Sequence, residues 1–123
     1  MENIWFLFAA TMVCLALLVH VFVGGRLFVR ALLADDIPAP QKWMAYYMWH
    51  AATFGFVFVA AGFFAAAWTT EHIDYGVIAT AYSACFVALA LVVCFKGKRS
   101  IRTFPAIPLF SLVTLLGLAG TLT

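Results

Sequence analysis

The stretch Ile4–Gly24, IWFLFAATMVCLALLVHVFVG, runs for 21 residues with no charge and a single histidine, His20. As a helix rising about 1.5 Å per residue it spans about 30 Å, the thickness of a bilayer's hydrocarbon core. Three further runs have the same character: Trp43–Trp68 with one histidine, His50, and Tyr75–Phe95 and Phe104–Leu122 with none, all uncharged. Backbone groups in lipid must bond within their own structure, so such runs are helices or closed-barrel strands. Barrel strands alternate polar and apolar residues, and these runs do not. The sequence therefore predicts an all-α, polytopic membrane protein. Residues 1–123 form a single domain of four transmembrane helices, over about 4–24, 43–68, 75–95 and 104–122.

Composition supports this and excludes other classes. Hydrophobic residues make up 67% of the 123 and charged residues 10%, against about 45–50% and 25% in soluble domains. Seven Lys/Arg and five Asp/Glu cannot clothe a soluble enzyme of this size. A net charge of +2 does not supply the dense basic face that nucleic acid requires. The lipid bilayer is the expected environment, with other membrane subunits as the expected protein partners.

The connections are polar. Residues 26–42 hold Asp35, Asp36, Pro38 and Pro40, and the prolines are expected to break helices there. Thr69–Asp74 is very short, and Lys96–Thr103 is basic. Thr103 is the expected N-cap of the fourth helix, with Pro105 in its first turn. Short links make successive helices antiparallel, which predicts an up-down-up-down bundle. All seven basic residues (Arg26, Arg30, Lys42, Lys96, Lys98, Arg99, Arg102) lie in the first and third connections. Basic loops stay cytoplasmic, so both termini and the Glu71–Asp74 loop are expected on the periplasmic side of a bacterial inner membrane. The start Met1-Glu2-Asn3 has no basic n-region, and Val13 before Cys14 does not suit a lipoprotein signal. The first run is expected to be a permanent span.

Lipid provides no hydrophobic drive for helix association, so small residues must let backbones approach. Stripes of this kind are Ala9, Ala16 and Gly24 with His20; Ala51, Gly55, Gly62 and Ala66; Gly76, Thr80, Ala84 and Ala88; and Ser111, Thr114 and Gly117. The 13 Phe residues are expected mostly to cover the remaining surface. Trp5, Trp43, Trp49, Trp68, Tyr46, Tyr47 and Tyr75 fall near span ends, as in an interfacial aromatic belt. Cys14, Cys85 and Cys94 are odd in number and lie within spans, which suits packing rather than disulfides.

Histidine within a span is costly and therefore a functional candidate. His20 precedes Asp35 by fifteen residues and His50 follows it by fifteen. A hairpin turning at Asp35–Asp36 then sets both at one depth, and the expectation is that their side chains converge. Tyr46, Tyr47 and His50 share a helix face, with Arg26 and Arg30 just beyond. Two imidazoles could hydrogen-bond and fix helix register. They could instead ligate a haem b iron axially, with Arg26 or Arg30 meeting the propionates. Copper at Met44 and Met48, proton transfer, and a quinone or lipid-headgroup site are further readings. His72, between Glu71 and Asp74, reads as solvated. No span contains a carboxylate base, and neither a nucleophile elbow nor a phosphate-cradling glycine loop is present.

The segments His20-Val-Phe-Val-Gly-Gly-Arg26 and Tyr46-Tyr-Met-Trp-His50 resemble an uncharacterised family of small four-span bacterial inner-membrane proteins. In that family a histidine precedes Gly-Gly-Arg, a Tyr-Tyr-X-Trp-His segment follows, and the fourth helix opens with a proline-containing stretch comparable to Phe104–Pro108. The resemblance implies the four-span architecture and a proteobacterial inner membrane, and singles out the histidine segments without implying a chemistry. The expected role is a non-catalytic accessory or interaction subunit of a larger membrane assembly. A haem b-binding or other redox protein centred on His20 and His50 is the alternative.

Overall fold

The computed structural model describes residues 2–98 and 100–123. Met1 and Arg99, both used above, lie outside the described residues. Among the described residues 89% are helical and none forms a strand. Four helices make up the fold: α1 Ile4–Ala34, α2 Ala39–Trp68, α3 Ile73–Lys96 and α4 Ala106–Leu122. The first three are long and apolar enough to cross a membrane, whereas α4, at 17 residues, is shorter. Each helix packs on two neighbours, closing the ring α1–α2–α3–α4.

The first connection is much shorter than its prolines suggest. Pro38 is extended (φ −54°, ψ 138°) and Pro40 lies in the opening turn of α2, where its missing N–H deprives the helix of nothing. The prolines therefore start α2 early, and α1 runs on past Gly24 to Ala34. Lys42, in the first turn of α2, donates from Nζ to the carbonyls of Asp35 (2.6 Å) and Leu33 (3.3 Å). It caps the C-terminus of α1, where a cation complements the exposed carbonyls. The α3–α4 link also departs from expectation. Thr103 closes a single 3₁₀ turn by donating to the Ser100 carbonyl at 2.9 Å. Pro105 takes the N-cap position of α4, with no side-chain cap.

Two residues ahead of α1 tie the four helices together at one end. Asn3 accepts at Oδ1 from the N–H groups of Trp5 (3.1 Å) and Phe6 (3.2 Å), capping α1. Its Nδ2 donates to the Gly120 carbonyl at 2.8 Å, near the end of α4. The Glu2 and Asn3 N–H groups reach the Ala67 carbonyl of α2 at 2.9 and 3.3 Å. A Glu2 carboxylate oxygen accepts from the Thr70 N–H at 2.7 Å, just before α3. This clasp gathers the start of α1, the end of α2, the approach to α3 and the end of α4. The helices therefore alternate in direction, and the described basic residues collect at the opposite end.

The main core fills the clasped half, and a smaller buried cluster of Ala90, Cys94 and Ile107 joins α3 to α4 toward the other end. Phe6, Phe63 and Phe110 are almost completely buried, and Phe56 nearly so. Phe56, Phe86 and Phe110 pack in mutual contact, with centroids 4.8–5.3 Å apart. These phenylalanines build the interior rather than the lipid coat, because small neighbours leave room for flat rings. A Cβ on Gly76 would come within 2.6 Å of Phe6, and one on Gly120 within 2.7 Å. On α3 the expected four-residue stripe also needs correction. Gly76, Thr80, Ser83, Ala90 and Cys94 are buried, but Ala84 and Ala88 are exposed. Four-residue steps drift about 40° per step around an α-helix, so the packed seam alternates steps of four and three. The buried hydroxyls of Thr80 and Ser83 bond back to Gly76 and Ala79 at 2.7 and 2.8 Å, as polar groups in lipid require.

The clasp generates a stability prediction. Asn3→Ala should cost about 1–2 kcal/mol, combining a lost cap with a lost interhelical bond. Asn3→Asp, which keeps the cap but loses the amide donor, should fall between. Thermal unfolding in mild detergent measures both, and a wild-type midpoint for Asn3→Ala would show that the clasp contributes nothing.

Candidate functional site

Beyond the core, α1 widens. Residues Val19–Val29 form a π-helix whose side chains are nowhere fully buried. π-Helical turns are rare and occur disproportionately at functional sites. This one holds the adjacent glycines Gly24 and Gly25, which favour helix weakly, and faces the first four turns of α2.

Trp49 of α2 is what the widened segment grips. Its indole stacks on the His20 imidazole, with centroids 3.8 Å apart and planes inclined by 13°. Phe28 lies against the indole as well, at 5.0 Å and 19°. Gly24, midway between His20 and Phe28, provides the notch, since a Cβ there would sit 2.5 Å from the indole edge. The pattern is thus His20-x3-Gly24-x3-Phe28 on α1 closing on one tryptophan. The Thr53 hydroxyl, one turn further along α2, donates to the Trp49 carbonyl at 3.1 Å. It is left as an acceptor, so His20 donates from Nε2–H to Thr53 Oγ1 at 3.1 Å, with the Trp49 carbonyl at 3.4 Å. This network assigns the Nε2–H tautomer and leaves Nδ1 carrying a lone pair. Phe56 meets the imidazole edge-on at 5.0 Å.

The two histidines expected to converge are not brought together. His20 lies level with the Trp49–Thr53 turn, which also carries His50, so their depths are similar. Their phase differs, because Trp49, Thr53 and Phe56 form the face of α2 that meets α1, and His50 is rotated about 100° from Trp49. His50 is exposed and packs on Tyr46 (4.5 Å, 67°), beside a groove lined by Phe54, Phe58 and Tyr82. Among the described residues no hydrogen bond or ring contact joins His20 to His50. Of the remaining candidates Tyr46 is half-buried and touches Trp43 and His50, while Tyr47, Arg26 and Arg30 are exposed. Axial ligation of one haem requires both imidazoles to face one iron, and this arrangement does not present them so. Among the described residues no group of three His, Cys, Asp or Glu side chains is placed to hold a metal ion. His72 is exposed beside Tyr75, and the three cysteines are free thiols.

No family model, curated protein or solved structure matches the chain. Its chemistry must therefore be read from its own geometry.

The residues missed in the sequence were Trp49 and Thr53 as partners of His20, and Gly24 and Phe28 as partners of Trp49. Trp49 reads from sequence as an interfacial anchor, and only its phase toward α1 makes it the centre of the contact. The spacing of His20, Gly24 and Phe28 against Trp49-x3-Thr53 was the available signal. Alongside this contact runs a crevice of about 360 Å³ between α1, α2 and α4, lined by His20, Val23, Leu27, Trp49, Phe104 and Leu109 among others.

Two substitutions test the contact. Gly24→Ala should expel the indole from its notch and alter the near-ultraviolet circular dichroism. Thr53→Val should cost about 0.6 kcal/mol and at most about 1.7, the range for interhelical hydrogen bonds in membranes. An unchanged spectrum for Gly24→Ala would show that Trp49 does not lie across Gly24.

Proposed function

We infer that this protein is a four-span bacterial inner-membrane protein acting as a non-catalytic accessory subunit, with the free half of its α1–α2 hairpin as the docking arm for a helix of a second membrane protein. One observation carries the reading. The buried residues of α1 end at Ala16 and those of α2 begin at Phe56, so between them no side chain is fully buried, and the two helices form an arm that packs chiefly on itself through His20, Phe28 and Trp49. As α-helices, 31 and 30 residues would extend about 45 Å, well beyond about 30 Å of hydrocarbon. The excess on α2 is apolar: Tyr47 is 66% exposed, Met44 62% and Trp43 59%. Apolar surface held beyond the hydrocarbon favours a covering partner, and Tyr, Trp and Met are enriched at such interfaces. His20 fits this reading as the residue that locks the two arm helices together through Trp49 and Thr53.

The membrane arrangement belongs to the same proposal. The 17-residue α4 covers about 25 Å, and its flanking 3₁₀ turn and local bilayer thinning accommodate the remainder. The one-sided basic residues favour a cytoplasmic hairpin tip and α3–α4 link, with both ends of the chain periplasmic. A periplasmic reporter fused after Thr123 should be active and a cytoplasmic one silent; the reverse result would overturn the orientation. A photoreactive residue replacing Met44 or Tyr47 should give a discrete protein adduct in intact membranes, and one replacing lipid-facing Leu115 should not. Lipid adducts alone at all three positions, with a single monodisperse chain in mild detergent, would remove the docking reading.

A further inference from the structure

We propose that the crevice between α1, α2 and α4 holds one acyl chain of an anionic phospholipid whose headgroup is bound by Arg30 and Arg102. This goes beyond the docking reading and rests only on the chain being membrane-embedded. The crevice runs along α1 from Ala16 to Leu27 and along α4 from Phe110 back to Phe104. The eleven steps from Ala16 to Leu27 cover at most about 16 Å, close to half of about 30 Å of hydrocarbon. The crevice is thus one leaflet deep. Its volume of about 360 Å³ falls at the lower end of the range for small-molecule sites.

Its chemistry selects a hydrocarbon occupant. The walls are almost wholly apolar. The polar groups among them are the Trp49 indole N–H and His20, which directs Nε2 to Thr53 and lays its face on Trp49. A polar ligand would find little to bond, whereas an acyl chain would meet Val23, Leu27 and Leu109. Charge then selects the headgroup. The mouth lies at the basic end, where Leu27 is followed three residues later by Arg30 and Phe104 is preceded two residues earlier by Arg102. Both arginines are exposed, and Arg26, Lys96 and Lys98 add to the positive field at this end. The acidic residues at that end, Asp35 and Asp36, lie at the tip of the α1–α2 hairpin. Basic pockets between membrane helices on the cytoplasmic side favour anionic lipid headgroups, with about 1 kcal/mol from each nearby Lys or Arg. Arginine's planar fork suits phosphate in particular.

The test uses the full chain in mild detergent, offered equal amounts of phosphatidylglycerol and phosphatidylcholine with identical acyl chains, with retained lipid read by native mass spectrometry. Phosphatidylglycerol should be retained at least about tenfold better, as two arginines of that strength imply. The double variant Arg30→Gln, Arg102→Gln should lose the preference. Val23→Trp, which fills the crevice, should abolish retention of both lipids while near-ultraviolet circular dichroism stays folded. Equal retention of the two lipids, or retention unaffected by Val23→Trp in a folded chain, would overturn the proposal. Displacement of the lipid by millimolar glycerol phosphate alone would show a free-phosphate site and overturn it equally. Flotation of the chain with phosphatidylcholine vesicles reports membrane insertion separately, so failure of lipid selectivity is distinguishable from failure of the membrane reading.

Discussion

Helices dissolved in lipid gain nothing from burying apolar surface against one another, because the solvent is as apolar as the side chains. Association must come from close approach, shape and the few polar contacts that water cannot compete for. This constraint explains where the four helices cohere and where they part. They cohere where glycine and alanine admit Phe6, Phe56, Phe63 and Phe110, and where Glu2 and Asn3 spend their polar groups on Ala67, Thr70 and Gly120. Beyond Ala16 and Phe56 the helices α1 and α2 leave the common core, while α3 and α4 stay packed through Ala90, Cys94 and Ile107. The result is a bundle closed at one end and open at the other.

The open end is held by a different device. Trp49 is seated over Gly24 between His20 and Phe28, and Thr53 fixes the imidazole. The stacked rings provide broad contact, and the hydrogen bond fixes the register of α1 on α2. Lys42 adds a cap at the hairpin tip by closing the carbonyl end of α1. The arm is therefore rigid without being packed against α3 and α4 over its whole length. A rigid apolar arm with one free side, beside a crevice opening at the basic end, suits a protein that works by contact with lipids and neighbouring subunits. The two proposed roles are compatible, because Leu27 and Phe104 line the crevice while Tyr47 and Met44 lie on other parts of the arm.

The all-helical class was legible in the sequence, because a charge-free run of about 20 residues has few alternatives in lipid. So was the need of His20 for partners, since an imidazole within an apolar run is costly unless it is partnered. The pairing with His50 was not. Arm lengths counted from Asp35 set depth along a hairpin but carry no information about rotation. The residue meeting α1 is decided by how α2 packs on its other neighbours. A rotation of about 100° exchanged His50 for Trp49, and with it a cofactor geometry for a structural lock. The seam of α3 failed to read for a related reason. Ala84 and Ala88 continue a four-residue stripe on paper, but a packed helix follows the mean of three and four, so Ser83, Ala90 and Cys94 are the residues that go inside.

Composition and apolar run length alone determined the helical class, the approximate position of each helix and the gathering of basic residues at one end. These depend on one-dimensional properties, namely transfer free energy, backbone hydrogen bonding and the order of charges along the chain. The tertiary structure alone decided the clasp, the π-helical widening of Val19–Val29, the Trp49 notch and the crevice. Each depends on the relative rotation and separation of two or more helices, and those are set by the combined fit of many side chains that no single segment encodes.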